Sequence, residues 1–88
     1  MIRDDAALDR YLAFWESVEP DGYREKLPAI VTDEVRFRDP FNDVVGRDRF
    51  GDVLAHMFGA VRDPRFTVLD RAWGAQAAYA RWRFAFGP

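Results

Sequence analysis

The sequence predicts an α+β fold, in which helices pack on one face of a mostly antiparallel sheet. Apolar residues recur at helical spacing in an N-terminal segment and again in a central segment. Three other segments alternate apolar and polar residues, as half-buried strands do. The resulting order is helix, helix, strand, helix, strand, strand. The chain has 88 residues and shows no repeat or linker, so we expect a single domain over residues 1–88.

The first two helices are separated by the breaker Pro20-Asp21-Gly22. The first helix is predicted from about Asp5 to Val18, with Asp4 or Asp5 as its N-cap. The second is predicted from Tyr23 to about Val31, and Asp21 can cap it. Because Pro28 has no N–H and a fixed backbone angle, it should kink this helix or divide it into two turns.

The first strand ends with a carboxylate, Asp39, which is followed directly by a proline. It has Val35, Phe37 and Asp39 on one side and Arg36 and Arg38 on the other. The pleat would carry Asp39 to the apolar side, where a carboxylate is costly to bury unless something uses it. Alternatively, Asp39 lies in water at the strand end and caps the turn that follows. From Phe41 to Gly46 we expect a turn with a few extended residues.

The third helix, Arg47 to Val61, has the clearest apolar stripe. Two strands follow it, Arg65 to Trp73 and Gln76 to Phe86, joined by a tight connection. The last strand alternates aromatic and cationic residues, which predicts one face of each kind. Arg81 and Arg83 could bind an acidic ligand, but a solvated outer face explains them more simply. The helical stripe consists of Phe50, Val53, Leu54, Met57, Phe58 and Val61.

Composition and charge exclude several classes of function. The net charge is -2, from 13 basic and 15 acidic residues without a basic stripe, so we expect no nucleic-acid partner. The chain has no cysteine, and its one histidine, His56, lies off the helical stripe, so a transition-metal site would lack good ligands. The acidic N-terminus is unlike a signal peptide, and no apolar run is long enough for a membrane. We expect a cytoplasmic domain without a cofactor.

A resemblance to a known superfamily lies in the stretch from Ile30 to Pro40, which ends in Asp-Pro, and in Gly46 before the third helix. These features resemble the nuclear transport factor 2-like superfamily, which includes ketosteroid isomerases and SnoaL-like polyketide cyclases. The resemblance implies a cone, in which a strongly curved sheet wraps around helices and leaves an apolar pocket. It also implies that the chain lacks the family's final strands, either as a fragment or as a short form that another chain completes.

The same resemblance implies roles for individual residues. Asp39 matches the isomerase base that moves a proton next to a carbonyl, and Tyr11 matches the tyrosine that hydrogen-bonds the developing enolate oxygen. The second oxyanion donor of the isomerases lies on a later strand and has no counterpart here. In a cone fold, some core residues would also line the pocket. The candidates for contact with a small apolar ligand are Trp15, Phe37, Leu54, Met57, Phe58, Trp82 and Phe84.

Two hypotheses about function follow. One is proton transfer on a small apolar carbonyl compound, with Asp39 as base and Tyr11 as donor. The other is a non-catalytic pocket domain that binds a ligand or dimerises, in which Asp39 only holds its turn. The second is favoured, because an active site needs a closed pocket and strands are missing. We also expect a homodimer through the last strand or its aromatic face, since an unpaired edge recruits other strands.

Overall fold

The computed structural model describes residues 4–87 and confirms the α+β class. Within those residues the strands form two separate antiparallel pairs, β1–β2 and β3–β4, so the expected cone is not closed. Helices lie between and against these pairs. The elements in chain order are α1 (Asp5–Ser17), α2 (Tyr23–Lys26), a 3-10 turn (Leu27–Ala29), β1 (Arg36–Arg38), β2 (Asp43–Val45), α3 (Arg47–Ala60), β3 (Arg62–Trp73) and β4 (Ala78–Gly87).

The N-terminal helices begin and end close to the predicted residues. The Asp4 carboxylate accepts a hydrogen bond from the Ala7 backbone N–H, which confirms it as the N-cap of α1. Pro28 divides the second helix into α2 and the 3-10 turn, as expected. The expectation that Asp21 caps α2 is wrong. Gly22 takes that position with a φ of 85°, a left-handed conformation that glycine adopts without steric cost.

The β1–β2 hairpin is held to the start of α3 by backbone and arginine contacts. Phe37 pairs with Val44, and β2 forms where the sequence predicted mainly a turn. Gly46 then donates its N–H to the Val35 carbonyl at 2.8 Å. The guanidinium of Arg47, the first residue of α3, donates to the Val31 carbonyl at 2.7 Å. These bonds fix the angle at which α3 leaves the hairpin.

The β3–β4 hairpin has two chemically different faces, as the alternation predicted. Phe66 lies opposite Phe84, and Val68 lies opposite Trp82. On the other face Thr67 lies opposite Arg83. We call the first the aromatic face; its rings are Phe66, Trp82, Phe84 and Phe86. The strand β3 begins earlier than predicted, at Arg62, and contains two irregularities in register, one between Arg62 and Arg65 and one between Val68 and Asp70.

The hydrophobic core lies between α1, α2 and α3. It consists of the buried residues Phe14, Tyr23, Leu27, Phe50 and Leu54. Trp15 borders this core and contacts Phe37 of β1, Phe50 of α3 and Phe66 of β3, with ring centroids 6.3, 6.0 and 4.9 Å apart. A single side chain therefore packs against both hairpins. The α1 helix covers the β3 half of the aromatic face, and the rings of β4 remain largely exposed.

Candidate functional site

Asp39 lies in the turn after β1, and its carboxylate is bonded to that turn. Its Oδ1 accepts hydrogen bonds from the backbone N–H groups of Phe41 at 2.8 Å and Asn42 at 2.7 Å. The Asn42 amide nitrogen donates to both carboxylate oxygens, at 3.0 and 3.2 Å. This is the geometry of an Asx turn, in which a side chain replaces a backbone acceptor. Two interpretations of Asp39 were left open above. The structure shows the one in which its carboxylate caps the turn after β1.

The expectation that the pleat carries Asp39 to the apolar side is wrong. Strand β1 ends at Arg38, and the side chain of Asp39 is exposed. The physical reason is that the carboxylate gains several N–H donors in the turn, whereas a continued strand would bury it in apolar surroundings. Its role as a general base stays a prediction.

Tyr11 is half-buried on α1 and lies edge-on to Trp15, with ring centroids 6.4 Å apart. Burial raises the pKa of the Tyr11 phenol, because the charged form would lose hydration, and a hydrogen bond with Trp15 partly opposes this. The phenol therefore stays protonated at neutral pH and can donate a hydrogen bond. Its proposed role toward an enolate oxygen stays a prediction as well.

The arginines on the outer side of β1 are engaged with a carboxylate. Arg36 donates to both oxygens of Asp43 at 3.0 and 2.9 Å, and Arg38 lies 3.7 Å from the same group. The Arg36 guanidinium lowers the pKa of the Asp43 carboxyl. This cluster is solvent-exposed, and Asp43 offsets one of its two positive charges, so its ion pairs stabilise the hairpin only weakly.

The ligand-contact candidates divide into two groups. Trp15, Phe37, Trp82 and Phe84 belong to one continuous array of rings, linked through Phe66. The others lie in or against the helical core: Leu54 is 1% exposed, Met57 is half-buried, and the Phe58 ring packs on Tyr23 at 5.6 Å. The sequence reasoning missed Phe66. Its place in the alternation of β3, on the same face as the aromatic residues of β4, was the signal that could have identified it.

An open cleft adjoins this array of rings. It has a volume of about 430 Å³ and lies between the C-terminal end of α1 and the start of β3. Trp15, Val18, Pro64 and Phe66 form its apolar part, while Glu16, Glu19 and Arg65 supply charged groups. The Glu16 carboxylate already accepts a hydrogen bond from the Val68 backbone N–H at 3.0 Å, which ties α1 to β3 beside the cleft.

The described part of the chain has neither a cluster of metal ligands nor a membrane-spanning helix. Among residues 4–87, no three His, Asp or Glu side chains come together in a way that could hold a metal ion. His56 is exposed on α3, as predicted. None of the helices within those residues is both long and apolar enough to cross a membrane.

The turn-cap geometry makes a prediction for two substitutions of Asp39. Asp39→Asn keeps an oxygen that can accept from Phe41 and Asn42, so the free energy of unfolding should change by less than about 0.5 kcal/mol. Asp39→Ala removes the acceptor and should cost about 1 kcal/mol. Urea denaturation of the three proteins measures both differences. Equal losses for the two variants would contradict this account of the turn.

Comparison with known proteins supports the resemblance noted above. The model of the SnoaL-like domain family matches residues 8–88, which is nearly the whole chain. No curated protein sequence and no solved structure gives a significant match. The matched range includes most of α1, both hairpins and α3, so it covers the aromatic array and the Asp39 turn alike. The chain therefore belongs to the SnoaL-like domain family, within the nuclear transport factor 2-like superfamily.

Proposed function

We propose that this domain binds a small, planar, mainly apolar molecule against the aromatic face, without catalysing a reaction on it. The observation that carries the proposal is the exposure of that face. Trp82 is 52% exposed and Phe84 is 37% exposed, although both rings pack on Phe66 at 5.2 and 4.7 Å. Adjacent exposed rings of this kind mark interaction sites on folded domains.

The arrangement of the rings favours a flat ligand. Phe66 and Phe84 are stacked with planes 16° apart, and Trp15 meets Phe66 edge-on at 64°. A planar molecule on the exposed rings would extend this stacking and lose its own hydration. Aromatic pairs of this geometry contribute about 0.5–1.5 kcal/mol beyond the area that they bury.

The neighbouring cleft favours a ligand with one polar edge. Glu16, Glu19 and Arg65 are among the residues that line it. The Glu16 carboxylate is already bonded to Val68, whereas Glu19 and Arg65 are exposed. A hydroxyl or amine on the ligand could hydrogen-bond there while its apolar body covers the rings. The proposed ligand is thus a neutral ring compound with a single polar substituent.

The position of Asp39 supports binding over catalysis. A general base must reach the proton it removes, either directly or through one water. The Asp39 carboxylate is engaged by its own turn and exposed. The rings around Trp15 and Phe66 are aromatic, and the cleft beside them is also lined by Glu16, Glu19 and Arg65. These side chains provide a surface for binding, and none of them is a desolvated base.

The ligand proposal can be tested with 2-naphthol as the probe, followed by amide chemical shifts. Shifts should concentrate at Phe66, Val68, Trp82 and Phe84, because these residues share the aromatic face. The variant Trp82→Ala should weaken 2-naphthol binding about tenfold, since it removes one stacking partner.

The matched control is Phe41→Ala, which removes another exposed ring, 92% exposed, in the turn after β1. It should leave the affinity for 2-naphthol unchanged. Equal weakening by Trp82→Ala and Phe41→Ala would contradict the proposal, as would shifts scattered over the whole domain.

A second candidate function is isomerase-like proton transfer with Asp39 as base. The observation in its favour is Tyr11, a half-buried phenol that burial keeps protonated beside the Trp15 ring. Such a phenol could stabilise a developing enolate oxygen. The superfamily to which the chain belongs also includes catalytic members. The candidate requires Asp39 to leave its turn and approach a bound ketone.

Exchange of α-protons in 2-tetralone with deuterated water distinguishes the two candidates. We expect the wild-type chain and Asp39→Asn to exchange these protons at the same slow rate, because the carboxylate serves the turn. NMR of the ketone measures the rate. Fast exchange by the wild type that Asp39→Asn abolishes, with the fold intact, would establish the second candidate in place of the first.

A further inference from the structure

We propose that the cleft between α1 and β3 recognises a lactam-type group, in which an N–H donor and a C=O acceptor lie side by side, through the backbone of Phe66. Because that cleft receives the polar edge of the planar ligand, this inference rests on the proposed function and specifies the chemistry of the edge. The recognising groups belong to the main chain on the outer edge of β3, where the Glu16 side chain of α1 is bound.

The direction of the Phe66 backbone groups follows from the hydrogen bond at Val68. The Val68 N–H donates to the Glu16 carboxylate at 3.0 Å, so it points to the outer edge of β3 and away from β4. In an antiparallel ladder, residues two apart direct both their N–H and their C=O to the same edge. The register is unbroken from Arg65 to Val68. Phe66 therefore directs its N–H and its carbonyl to the outer edge as well, while Thr67 directs its own to β4.

These two groups of Phe66 open onto the cleft. The cleft lies between the C-terminal end of α1 and the start of β3, and Phe66 is one of its lining residues. Glu16, whose carboxylate marks the outer edge of β3, lines the cleft as well. Outside the β3–β4 ladder, no hydrogen bond within residues 4–87 engages the Phe66 N–H or its carbonyl. A donor and an acceptor are thus available side by side in the wall of the cleft.

The residues on either side of Phe66 limit its partner to a small group. Pro64 has no N–H to donate, and the Val68 N–H is already bonded to Glu16. An added β-strand needs a row of donors and acceptors along the edge, and over residues 64–68 that row is interrupted on both sides of Phe66. This part of the edge therefore suits a small molecule with one donor and one acceptor better than it suits an extended peptide.

The polar groups in the cleft favour a neutral ligand that both accepts and donates. A carboxylate ligand could accept from the Phe66 N–H, but the Phe66 carbonyl and the Glu16 carboxylate would repel its charge. An ammonium ligand could donate to those two acceptors, but it has no atom that accepts from the N–H. A lactam satisfies both groups, because its C=O accepts from the N–H while its own N–H donates to the carbonyl. Trp15, Val18 and Pro64 provide apolar contacts for its ring.

Matched ligands test the proposal without altering the protein. 2-Quinolone carries a lactam on a naphthalene-sized ring, and N-methyl-2-quinolone has the same ring without the donor. The wild-type chain should bind 2-quinolone about tenfold more tightly, because the methylated ligand leaves the Phe66 carbonyl unpaired. Quinoline, which accepts without donating and adds no bulk, should bind as weakly as the methylated ligand. The Phe66 amide proton should move downfield with 2-quinolone, and the amide protons of Thr67 and Val68, already bonded, should move less.

Hydrogen exchange of the ligand-free protein tests the direction of the backbone groups separately. The Phe66 amide should exchange about tenfold faster than the amides of Thr67 and Val68, because these two are bonded to β4 and to Glu16. Glu16→Ala should speed exchange at Val68 and leave Thr67 protected. The matched control is Glu19→Ala, which removes the other carboxylate that lines the cleft and should leave exchange at Val68 unchanged.

Three results would overturn the lactam assignment. The first is equal binding of 2-quinolone and N-methyl-2-quinolone while 2-naphthol still shifts the aromatic face, which would leave the proposed function standing. The second is a Phe66 amide as protected in the free protein as that of Thr67. The third is tighter binding of N-acetylglycine N-methylamide, which offers the same donor and acceptor without a ring, since that would indicate a peptide ligand. If neither 2-naphthol nor 2-quinolone shifted any amide, the proposed function would fall together with this inference.

Discussion

The contact of Trp15 with three other elements holds this small domain together. The two hairpins share no backbone ladder within residues 4–87, so side chains must connect them. Trp15 meets Phe37 of β1 on one side and Phe66 of β3 on the other, while its neighbour Phe14 is buried in the helical core. An indole ring supplies a large apolar area from one position, which suits a chain with few core residues. The rest of the architecture is arranged around that ring.

Polar contacts between α1 and β3 reinforce the position of Trp15. The side chains of Asp5, Asp9 and Glu16 bond to Trp73, Arg71 and the Val68 N–H, in an order that shows the helix running antiparallel to the strand. Most of these groups are exposed, so each contributes little alone. Together they set the orientation in which α1 covers β3 and leaves the rings of β4 uncovered. That exposure underlies the ligand proposal.

The spacing of apolar residues predicted the helices and strands well, because the burial of one face of each element directly determines that spacing. The α3 stripe and the two-faced β4 appeared at nearly the predicted residues. The predictions failed where local backbone conformation or hydrogen bonding outweighs the hydrophobic pattern of the sequence. Asp39 continues the alternation of β1, yet several N–H donors in the turn hold its carboxylate outside the strand. Likewise Gly22, rather than Asp21, occupies the N-cap position of α2, because the chain needs a left-handed residue there.

The candidate site was predictable only in part, since it depends on contacts between distant segments. Trp15, Trp82 and Phe84 were expected near a ligand, and they do belong to one array of rings. Leu54 satisfied the same apolar criterion, but the crossing of α3 with the other helices buries it in the core. Phe66 was overlooked because its importance comes from the register of β3 on β4 and from its contact with α1. Neither relation is encoded in any short stretch of sequence.

Hydrogen exchange and urea denaturation of Trp15→Ala test the central role of this ring most directly, with Trp82→Ala as the matched control. Because Trp15 packs against both hairpins, its loss should lower the free energy of unfolding by about 3 kcal/mol and reduce amide protection in both hairpins together. Trp82 is half exposed, so its loss should cost about 1 kcal/mol and leave β1–β2 protected. If Trp15→Ala were no more destabilising than Trp82→Ala, or loosened a single hairpin, Trp15 would not be the residue that joins them.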